Sequence, residues 1–386
     1  MIPCNNFYSL SFLKINDLSI LTMNKERVLL AMSGGVDSSV AAKLLLDQGY
    51  EVVGLTLQVW SYEKTYFGKS GGKSDSDYIA DAQNLAKKLN IEHFVVDIQD
   101  QFQSNIITPF IDEYLNARTP NPCVLCNPTM KWGTFVHYAD QWNCKYIATG
   151  HYVSKKFENG RFFLIQGKDS KKDQSYVLWK LSQDLLERSL FPLGNFNKEE
   201  IKKMAHEFGF KKIAEKQESY DICFIPNGDY RSFLQLHAAG KCERLRGGVI
   251  SDTNGKWLGK HKGFPFYTIG QRKGLEVAMG HPVYVIQLLK EENRVVLGEK
   301  KDLLSNVLIL DQLNIQKYES LPDHYQASVK IRYKDAGEIG LIRKDGDHFI
   351  CEFQNPVSAA TPGQSAVFYE NDQLVGGAII EKAFLN

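Results

Sequence analysis

Two sets of residues in this chain have types and spacings that could do chemistry. The first is Ser33-Gly34-Gly35-Val36-Asp37-Ser38-Ser39, set between an apolar run, Val28 to Ala31, and the amphipathic pattern Val40-Ala41-Ala42-Leu44-Leu45-Leu46. That order predicts strand, tight turn and helix. Glycines let the backbone come close to a ligand, and the open N–H groups of a helix start, backed by its dipole, attract phosphate. The loop is not the Gly-x4-Gly-Lys-Ser/Thr type, because the position five residues before Gly68-Lys69-Ser70 is Glu63, and no Gly-x-Gly-x-x-Gly opens a helix. An ordinary strand-to-helix turn also favours Gly and Ser, but the full string is far more specific than a lone Gly-Gly pair.

The second set is sulfur. Cys123 and Cys126 form a Cys-x-x-Cys, and Cys223 stands in Ile222-Cys223-Phe224-Ile225. A structural zinc site would want a second Cys or His pair at similar spacing, and none is present. A thioredoxin-like pair would open a helix, whereas Pro120, Pro122 and Pro128 predict an extended loop. Taken alone, Cys223 reads as a small buried hydrophobe between Ile222 and Phe224. Cys4, Cys144, Cys242 and Cys351 have no motif partner or lie in apolar surroundings, so they read as inert.

These groups must be positioned by regular elements. Glu51 to Trp60 reads as a second, mostly apolar strand, residues 61 to 76 as a mobile polar loop, and Asp77 to Leu89 as a helix. A strand at His93 to Asp97, a helix from about Gln101 to Leu115, a helix from Met130 to Asp140 and a strand at Tyr146 to Thr149 follow. Strands alternating with helices predict a doubly wound parallel α/β sheet, with ligands at the carboxyl ends of the strands. Gly150-His151-Tyr152 falls at such an end, although His151 alone reads as a structural histidine. A hairpin at 156 to 164, a helix beginning at Asp173-Gln174-Ser175-Tyr176 and running through Leu181, a capped helix at Asn197 to Phe208 and a strand or loop at Glu218 to Ile225 come next. From Gly247 onward the pattern changes to short β segments, among them Phe266 to Thr268 and Ala327 to Tyr333, separated by Gly, Asn and Asp, as in small barrels.

The expected division is an extension, 1–24, an α/β domain, 25–230, a small central domain, 231–300, and a C-terminal β-barrel, 301–386. With 386 residues the chain is long enough for that number of cores. Lys+Arg 46 against Asp+Glu 45 leaves a formal charge of +1, so a polyanion must be met by a local patch. Lys241 to Lys273 provides one: eight Lys or Arg stand there against Glu243 and Asp252, interleaved with Trp257, Phe264, Phe266 and Tyr267. No apolar run is long enough to span a bilayer, and residues 1 to 24 lack the basic residues and cleavage site of a targeting peptide. Seven unevenly spaced cysteines suit a reducing cytoplasm in which cysteine is kept for chemistry.

The Ser33 to Ser39 string resembles the PP-loop of the ATP pyrophosphatase superfamily, whose members split ATP into AMP and pyrophosphate to adenylate a substrate oxygen. Thr119-Pro120-Asn121-Pro122 with Cys126-Asn127, Thr149 to Tyr152, Lys172 to Tyr176, Ile222 to Ile225 and Tyr267 to Leu275 then occur in the order found in one family. From about Lys25 to its end the chain resembles the tRNA-specific 2-thiouridylases, the MnmA or TrmU family. The resemblance implies replacement of the C2 oxygen of the wobble uridine by sulfur, in tRNAs of the Lys, Glu and Gln acceptor types, with ATP and Mg²⁺ as cofactors.

Residue by residue, the resemblance implies that Ala31, Met32, Ser33, Gly34, Gly35, Val36, Asp37 and Ser38 hold ATP, with Leu57 and Gly150 lining the nucleotide. It implies that Cys223 carries a persulfide and Cys126 is the nucleophile, the two closing a disulfide on product release. It associates Asn121, Pro122, Cys123, His151, Lys172, Asp173, Gln174, Arg332, Tyr333 and Gln364 with tRNA contact. The sulfur would come from a cysteine desulfurase or a relay carrier, and no membrane partner is implied. Many members carry Asp where this chain has Cys123, so a carboxylate that assists proton transfer is missing here. Cys123, Cys126 and Cys223 also resemble the [4Fe–4S] ligand set of related thiolating enzymes. Two rival classes are a PP-loop ligase acting on a small metabolite and an RNA-binding module that does not turn over ATP.

Overall fold

The computed structural model describes residues 25–61, 75–210, 213, 215, 222–225 and 228–385. The expected extension and nearly all of the expected loop at 61 to 76 lie outside the described residues. Strand β1 (Arg27–Ala31) sorts its side chains by alternation onto two faces. Val28 and Leu30 pack with α1 (Val36–Asp47), α2 (Asp75–Leu89) and a later helix, while Leu29 meets Phe135, Ala139 and Cys144 on the other side. A strand that is apolar on both faces needs cover on both, which is the physical content of a doubly wound sheet.

β1 pairs in parallel with β2 (Glu51–Gln58) on one side and β4 (Tyr146–Ala148) on the other. β3 (Glu92–Asp97) extends β2. Past a hairpin of β5 (Val153–Glu158) and β6 (Arg161–Gln166), strand β7 (Ser189–Leu190) extends β4. The order β3-β2-β1-β4-β7 reverses direction between β1 and β4. Crevices at such reversals bind ligands, and the loops after β1 and β4 carry Ser33 to Ser39 and Thr149 to Tyr152.

Helix α3 runs from Gln99 to Leu115, interrupted by a π-helical stretch at Gln103–Ile107. Helix α4 corrects the extended-loop reading of the Cys-x-x-Cys. Pro122–Cys126 is α-helical, Asn127–Trp132 is π-helical, and Gly133–Gln141 completes the rod. Pro122 takes the first helical position, where its missing N–H is no loss. The wide i→i+5 turns accommodate Pro128, which in an α-helix would clash with the carbonyl one turn back. The objection that prolines keep this Cys-x-x-Cys off a helix start therefore fails.

Helix α5 (Gln183–Arg188) is N-capped by the Ser182 hydroxyl. Helix α6 (Lys198–Glu207) has a capping box between Asn197 and Glu200, as its sequence predicts. The helix expected from Asp173 to Leu181 is reduced to a 3-10 turn, Ser175–Val177. Asp173 takes the N–H groups of Gly167 and Ser175 and the Ser175 hydroxyl, competing with helical bonding. Tyr176 and Trp179 are meanwhile drawn to Ser365 of the barrel wall.

Beyond α7 (Tyr230–His237), a four-stranded sheet has the order β10-β11-β8-β9, with β8 (Val249–Asp252), β9 (Trp257–Lys260), β10 (Tyr284–Leu289) and β11 (Arg294–Gly298). Phe266 to Thr268 is not a strand; Pro265 nucleates a 3-10 turn at Phe264–Phe266. The last module is a closed six-stranded barrel. Its strands are β12 (Leu304–Ile315), β13 (Tyr325–Lys330), β14 (Glu338–Asp345), β15 (His348–Ser358), β16 (Ser365–Glu370) and β17 (Gln373–Phe384), closed by β12 against β17. The strand expected through Tyr333 stops at Lys330, because the Asp335 carboxylate accepts from the Ile331 N–H and turns the chain. No helix among the described residues is long and apolar enough to cross a membrane.

One buried side chain joins the barrel to the α/β unit. Gln316 is fully buried; its Nε2 donates to the carbonyls of Leu178 (3.0 Å) and Trp179 (3.1 Å), and its Oε1 accepts from the Leu164 N–H (3.3 Å). Gln316→Leu strands these backbone groups and is expected to cost about 3 kcal/mol. A denaturant midpoint equal to that of the parent would show that this junction contributes nothing.

Candidate functional site

The phosphate end of the site is built from backbone. Gly34 has φ of 68°, and a Cβ there would lie 2.4 Å from the Tyr78 carbonyl oxygen, so only glycine lets the loop lie against α2. Gly35 is the N-cap of α1, and no side chain caps that helix, which leaves its first amides facing the turn. The Ser38 and Ser39 hydroxyls donate back to the Gly35 carbonyl at 3.1 and 2.8 Å, and Ser38 Oγ accepts from the Ser33 N–H at 3.3 Å. The loop's shape is thus held by its own serines.

β2 and β4 supply the walls. The Met32 N–H donates to the Leu55 carbonyl, and the Thr56 hydroxyl donates to the Met32 carbonyl at 2.7 Å, pinning the Ala31-Met32 end of β1. Leu57 is half-buried at the end of β2. A Cβ on Gly150 would meet Asp37 and Ser38 at 3.3 Å, so this glycine lies directly against the start of α1. The Tyr152 hydroxyl donates to Asp37 Oδ1 at 2.6 Å. Every residue expected at the nucleotide therefore lies at the β1/β4 crossing or, for Leu57, on the adjoining strand. Such a cradle of glycines and open amides fits a triphosphate, and Asp37 is the carboxylate to which a Mg²⁺ ion could bind.

The sulfur end lies along α4. Cys126 is buried in an aromatic core with Trp60, Phe102, Phe110 and Phe233. Phe224 enters the same core, its ring centroid 5.2 Å from both Phe110 and Phe233 and 5.7 Å from Phe102. That anchor brings Cys223 to the other two cysteines. Cys223 itself is exposed and lies in a turn, which agrees with the loop alternative at this position and not with the alternative of a small buried hydrophobe.

The three thiols share one electrostatic neighbourhood. Burial pushes Cys126 up to about 11 and Cys123 up as well, with Lys131 opposing in both cases. Cys223, although exposed, has its thiol pushed up to about 12 by surrounding protein that excludes water from the sulfur and by Cys126 and Cys123 beside it. Burial and the Lys131 charge hold His151 neutral, well below the usual histidine range, with Nδ1 at 2.8 Å from the Thr149 hydroxyl and its ring against Trp132. Lys131 is thus the cation common to all four groups, and Gly150-His151 links the sulfur end to the phosphate end.

A raised thiol pKa means less thiolate at a given pH, so these cysteines are protonated near neutrality. Iodoacetamide labelling of Cys223, followed by mass spectrometry, is expected to be slow at pH 8 despite its exposure. Labelling should climb steadily with pH without levelling near 9; a plateau there would indicate an ordinary thiol. No group of three or more His, Cys, Asp or Glu among the described residues is arranged to hold a metal ion, so the three cysteines do not fit a cluster ligand set as placed. Cys144, Cys242 and Cys351 are buried and free, and Cys4 lies outside the described residues.

The residues expected to contact tRNA are placed unevenly around these cysteines. Asn121 and Pro122 begin α4 beside Cys123, and Tyr333, from the barrel, lies within electrostatic reach of Cys123 and Asp173. Arg332 is exposed, its carbonyl accepts from the Asp335 N–H at 3.1 Å, and its charge acts on the Tyr176 hydroxyl. Gln364 is occupied: its Nε2 donates to the Thr119 and Pro120 carbonyls at 2.9 and 3.2 Å, fastening the start of α4 to the barrel. Asp173 is taken up by the local bonds described above, and Gln174 Oε1 accepts from the Tyr152 N–H. Lys172 stands beside them in the same turn.

In the basic stretch, Lys241, Arg246 and Lys262 are ion-paired with Asp112, Glu243 and Glu276, whereas Lys256 and Lys260 are exposed. Of the aromatics, Phe264 and Tyr267 are buried and Trp257 is 62% exposed, so Trp257 is the ring open for stacking. Sequence reasoning missed Lys131, one turn beyond Cys126, and Lys198, whose ammonium reaches Asp37. A cation at the first position of a helix, against the dipole, was the available signal for Lys198.

Comparison with known proteins adds an independent line. Family models match the chain as a tRNA methyl transferase HUP domain over residues 26–227, a tRNA methyl transferase PRC-barrel domain over 232–299 and an aminomethyltransferase beta-barrel domain over 305–380. The chain is 48% identical, over 93% of its length and 98% of the relative's, to the tRNA-specific 2-thiouridylase MnmA of Cytophaga hutchinsonii. It is 47% identical to that of Amoebophilus asiaticus, over 94% of this chain and 97% of the other. Against that of Salinibacter ruber the identity is 45%, over 93% and 95%.

Proposed function

Because the chain belongs to the family of tRNA-specific 2-thiouridylases, we propose that it replaces the C2 oxygen of the wobble uridine of tRNA with sulfur carried as a persulfide on Cys223. It is a tRNA sulfurtransferase that uses ATP to adenylate its substrate. The observation that carries the finer reading is the approach of Cys126 and Cys223, from distant segments, to one neighbourhood that adjoins the phosphate cradle through Gly150-His151.

The chemistry divides between the two ends. The uridine oxygen attacks the α-phosphorus of ATP and pyrophosphate leaves, which converts a poor leaving group into AMP. The α1 amides and loop glycines hold the phosphates through this step. A Mg²⁺ ion, when bound, would neutralise phosphate charge. The terminal sulfur of a Cys223 persulfide then attacks C2, and AMP departs with the C–O electron pair. Attack of Cys126 on the Cys223 sulfur closes a disulfide and leaves the electron pair on the new 2-thiouridine sulfur. An external dithiol must supply two electrons to reopen that disulfide. Lys131 stabilises whichever sulfur carries charge, and with Cys123 in place of a carboxylate no permanent anion at that position competes for it. The persulfide itself comes from a donor of the cysteine desulfurase or relay-carrier class.

The base has to leave its stack to reach sulfur chemistry that includes the buried Cys126. The surrounding contacts proposed for tRNA are Asn121 to Cys123, His151, Lys172 to Gln174, Arg332-Tyr333 and Gln364. The modules supporting these roles are an α/β domain over 25–230, a central domain over 231–300 and a barrel over 301–386. The exposed Lys256, Trp257 and Lys260 suit phosphate and base contact. Replacing Lys256 and Lys260 by alanine should weaken tRNA binding and lower its log–log salt slope by about one to two units; an unchanged slope would make this a solvated surface.

The test of the whole reading is the purified chain with ATP, a wobble-uridine tRNA transcript and a persulfide donor. Pyrophosphate release that depends on tRNA, and 2-thiouridine found at the wobble position by nucleoside mass spectrometry, are the expected results. Release stimulated by a small metabolite instead of tRNA, or thiolation elsewhere, would overturn it.

A further inference from the structure

The loop from Ala31 to Ala42 contains no lysine or arginine, so the cradle has no side-chain cation of its own to set against a triphosphate. The first in line, Lys43, points away into an ion pair with Asp47. Lys198 supplies the missing charge from a different element. It occupies the first position of α6, after the N-cap Asn197, where a cation opposes the helix dipole. Helix stability therefore does not explain it.

Lys198 is only 8% exposed, and its Nζ lies 2.7 and 2.9 Å from the two carboxylate oxygens of Asp37. Tyr152 donates to the same carboxylate. The element that delivers the lysine is rigid: Ile201 and Ala205 of α6 pack with Val40 and Ala41 of α1 in one core. The Lys198 N–H is itself fixed by Asp169 at 3.0 Å. A desolvated cation is thus held by a packed helix at the start of α1, on the residue expected to meet the nucleotide.

We propose that Lys198 is the side-chain cation of the ATP-phosphate site, and that Asp37 is the counter-ion it exchanges for phosphate when the nucleotide binds. This rests on the reading of the Ser33 to Ser39 loop as an ATP site. Asp37 then becomes available to Mg²⁺, and the ammonium moves to phosphate oxygens without crossing bulk water. Positive charge shifts from carboxylate to phosphate, and no covalent bond is made or broken.

Because Asp37 is itself in the site, the informative comparison is Asp37→Asn against the double variant Asp37→Asn with Lys198→Met. Neither protein leaves an unpaired carboxylate. Binding of MgATP, inorganic pyrophosphate and AMP is measured by calorimetry without tRNA, so no turnover enters. The double variant should bind MgATP and pyrophosphate at least about tenfold more weakly than Asp37→Asn, the size of one lost charged hydrogen bond. AMP affinity should change less than either. Asp37→Asn with Lys198→Arg, which keeps the charge, should recover most of the loss. Equal pyrophosphate affinity in Asp37→Asn and its Lys198→Met partner would reduce Lys198 to a structural ion pair. Failure of the parent chain to bind MgATP would instead remove the ATP-site reading on which this rests.

Discussion

Cys223→Ser is expected to abolish 2-thiouridine formation, by on the order of 10⁴-fold or more, while tRNA-dependent pyrophosphate release continues. A serine cannot carry a transferable sulfur, yet Cys223 lies outside the phosphate cradle and is exposed in its turn, so the substitution disturbs neither packing nor ATP. Cys126→Ser should give a comparable loss with a different residue of the reaction left behind. Without the resolving thiol, the adduct between Cys223 and the base cannot be released, and a covalent protein–tRNA species should accumulate under non-reducing conditions. Cys123→Asp should be tolerated and Cys123→Ala only partly impaired, since neither persulfide chemistry nor disulfide closure uses that sulfur. Loss of activity in Cys123→Ala as complete as in Cys223→Ser, together with stoichiometric iron after anaerobic purification, would replace the relay with a cluster. Thiolation by Cys223→Ser at the parent rate would sink the assignment of the carrier.

Gly34→Ala should be the most damaging single methyl group in the molecule for nucleotide binding. The residue sits at φ of 68°, and its Cβ would press to 2.4 Å on the Tyr78 carbonyl oxygen and 2.9 Å on Asp81 Cβ. The helix backbone of α2 cannot yield as a side-chain tip could, so the loop must move instead. The combined cost of the left-handed conformation and the contact is about 3 kcal/mol. A comparable displacement of the amides from their phosphate geometry predicts a loss of MgATP affinity on the order of a hundredfold. Gly49→Ala is the control: φ is 91° there, but nothing lies within 4 Å of the added Cβ, so only the backbone penalty remains and ATP affinity should hold. If Gly34→Ala binds MgATP like the parent, the loop is not the phosphate cradle.

Burial sets the pH dependence of the same cysteines. Their thiols are raised, so the thiolate fraction grows as pH rises through and beyond 9. A persulfide-loaded enzyme assayed for single-turnover transfer should therefore gain rate with pH across this interval if Cys126 must ionise, whereas adenylation should not follow the same curve.

The strand-turn-helix around Gly34, the alternation of strand and helix, the later switch to short β segments and the residue types for phosphate and sulfur chemistry could all be read along the chain, because each rests on neighbours within a few positions. The capping box at Asn197 is of this kind, and so are the positions of Cys126 and Cys223 in their motifs. What local pattern could not decide was set by tertiary packing. Proline at 122 and 128 predicts an extended loop, but a first-turn position and a widened π stretch let the Cys-x-x-Cys open a helix. Cys223 resembles core until Phe224 takes the core position and turns the cysteine outward. Asp173, Gln174 and Gln364 look like free polar groups until the hydrogen bonds of the assembled modules occupy them. Lys198 stands out in sequence only as a cation placed against the helix dipole, and it becomes the partner of Asp37 only when α6 packs on α1. Chemistry of residue type is local and was legible; which charges and sulfurs meet depends on contacts between segments far apart in the chain, and those exist only once the core has formed.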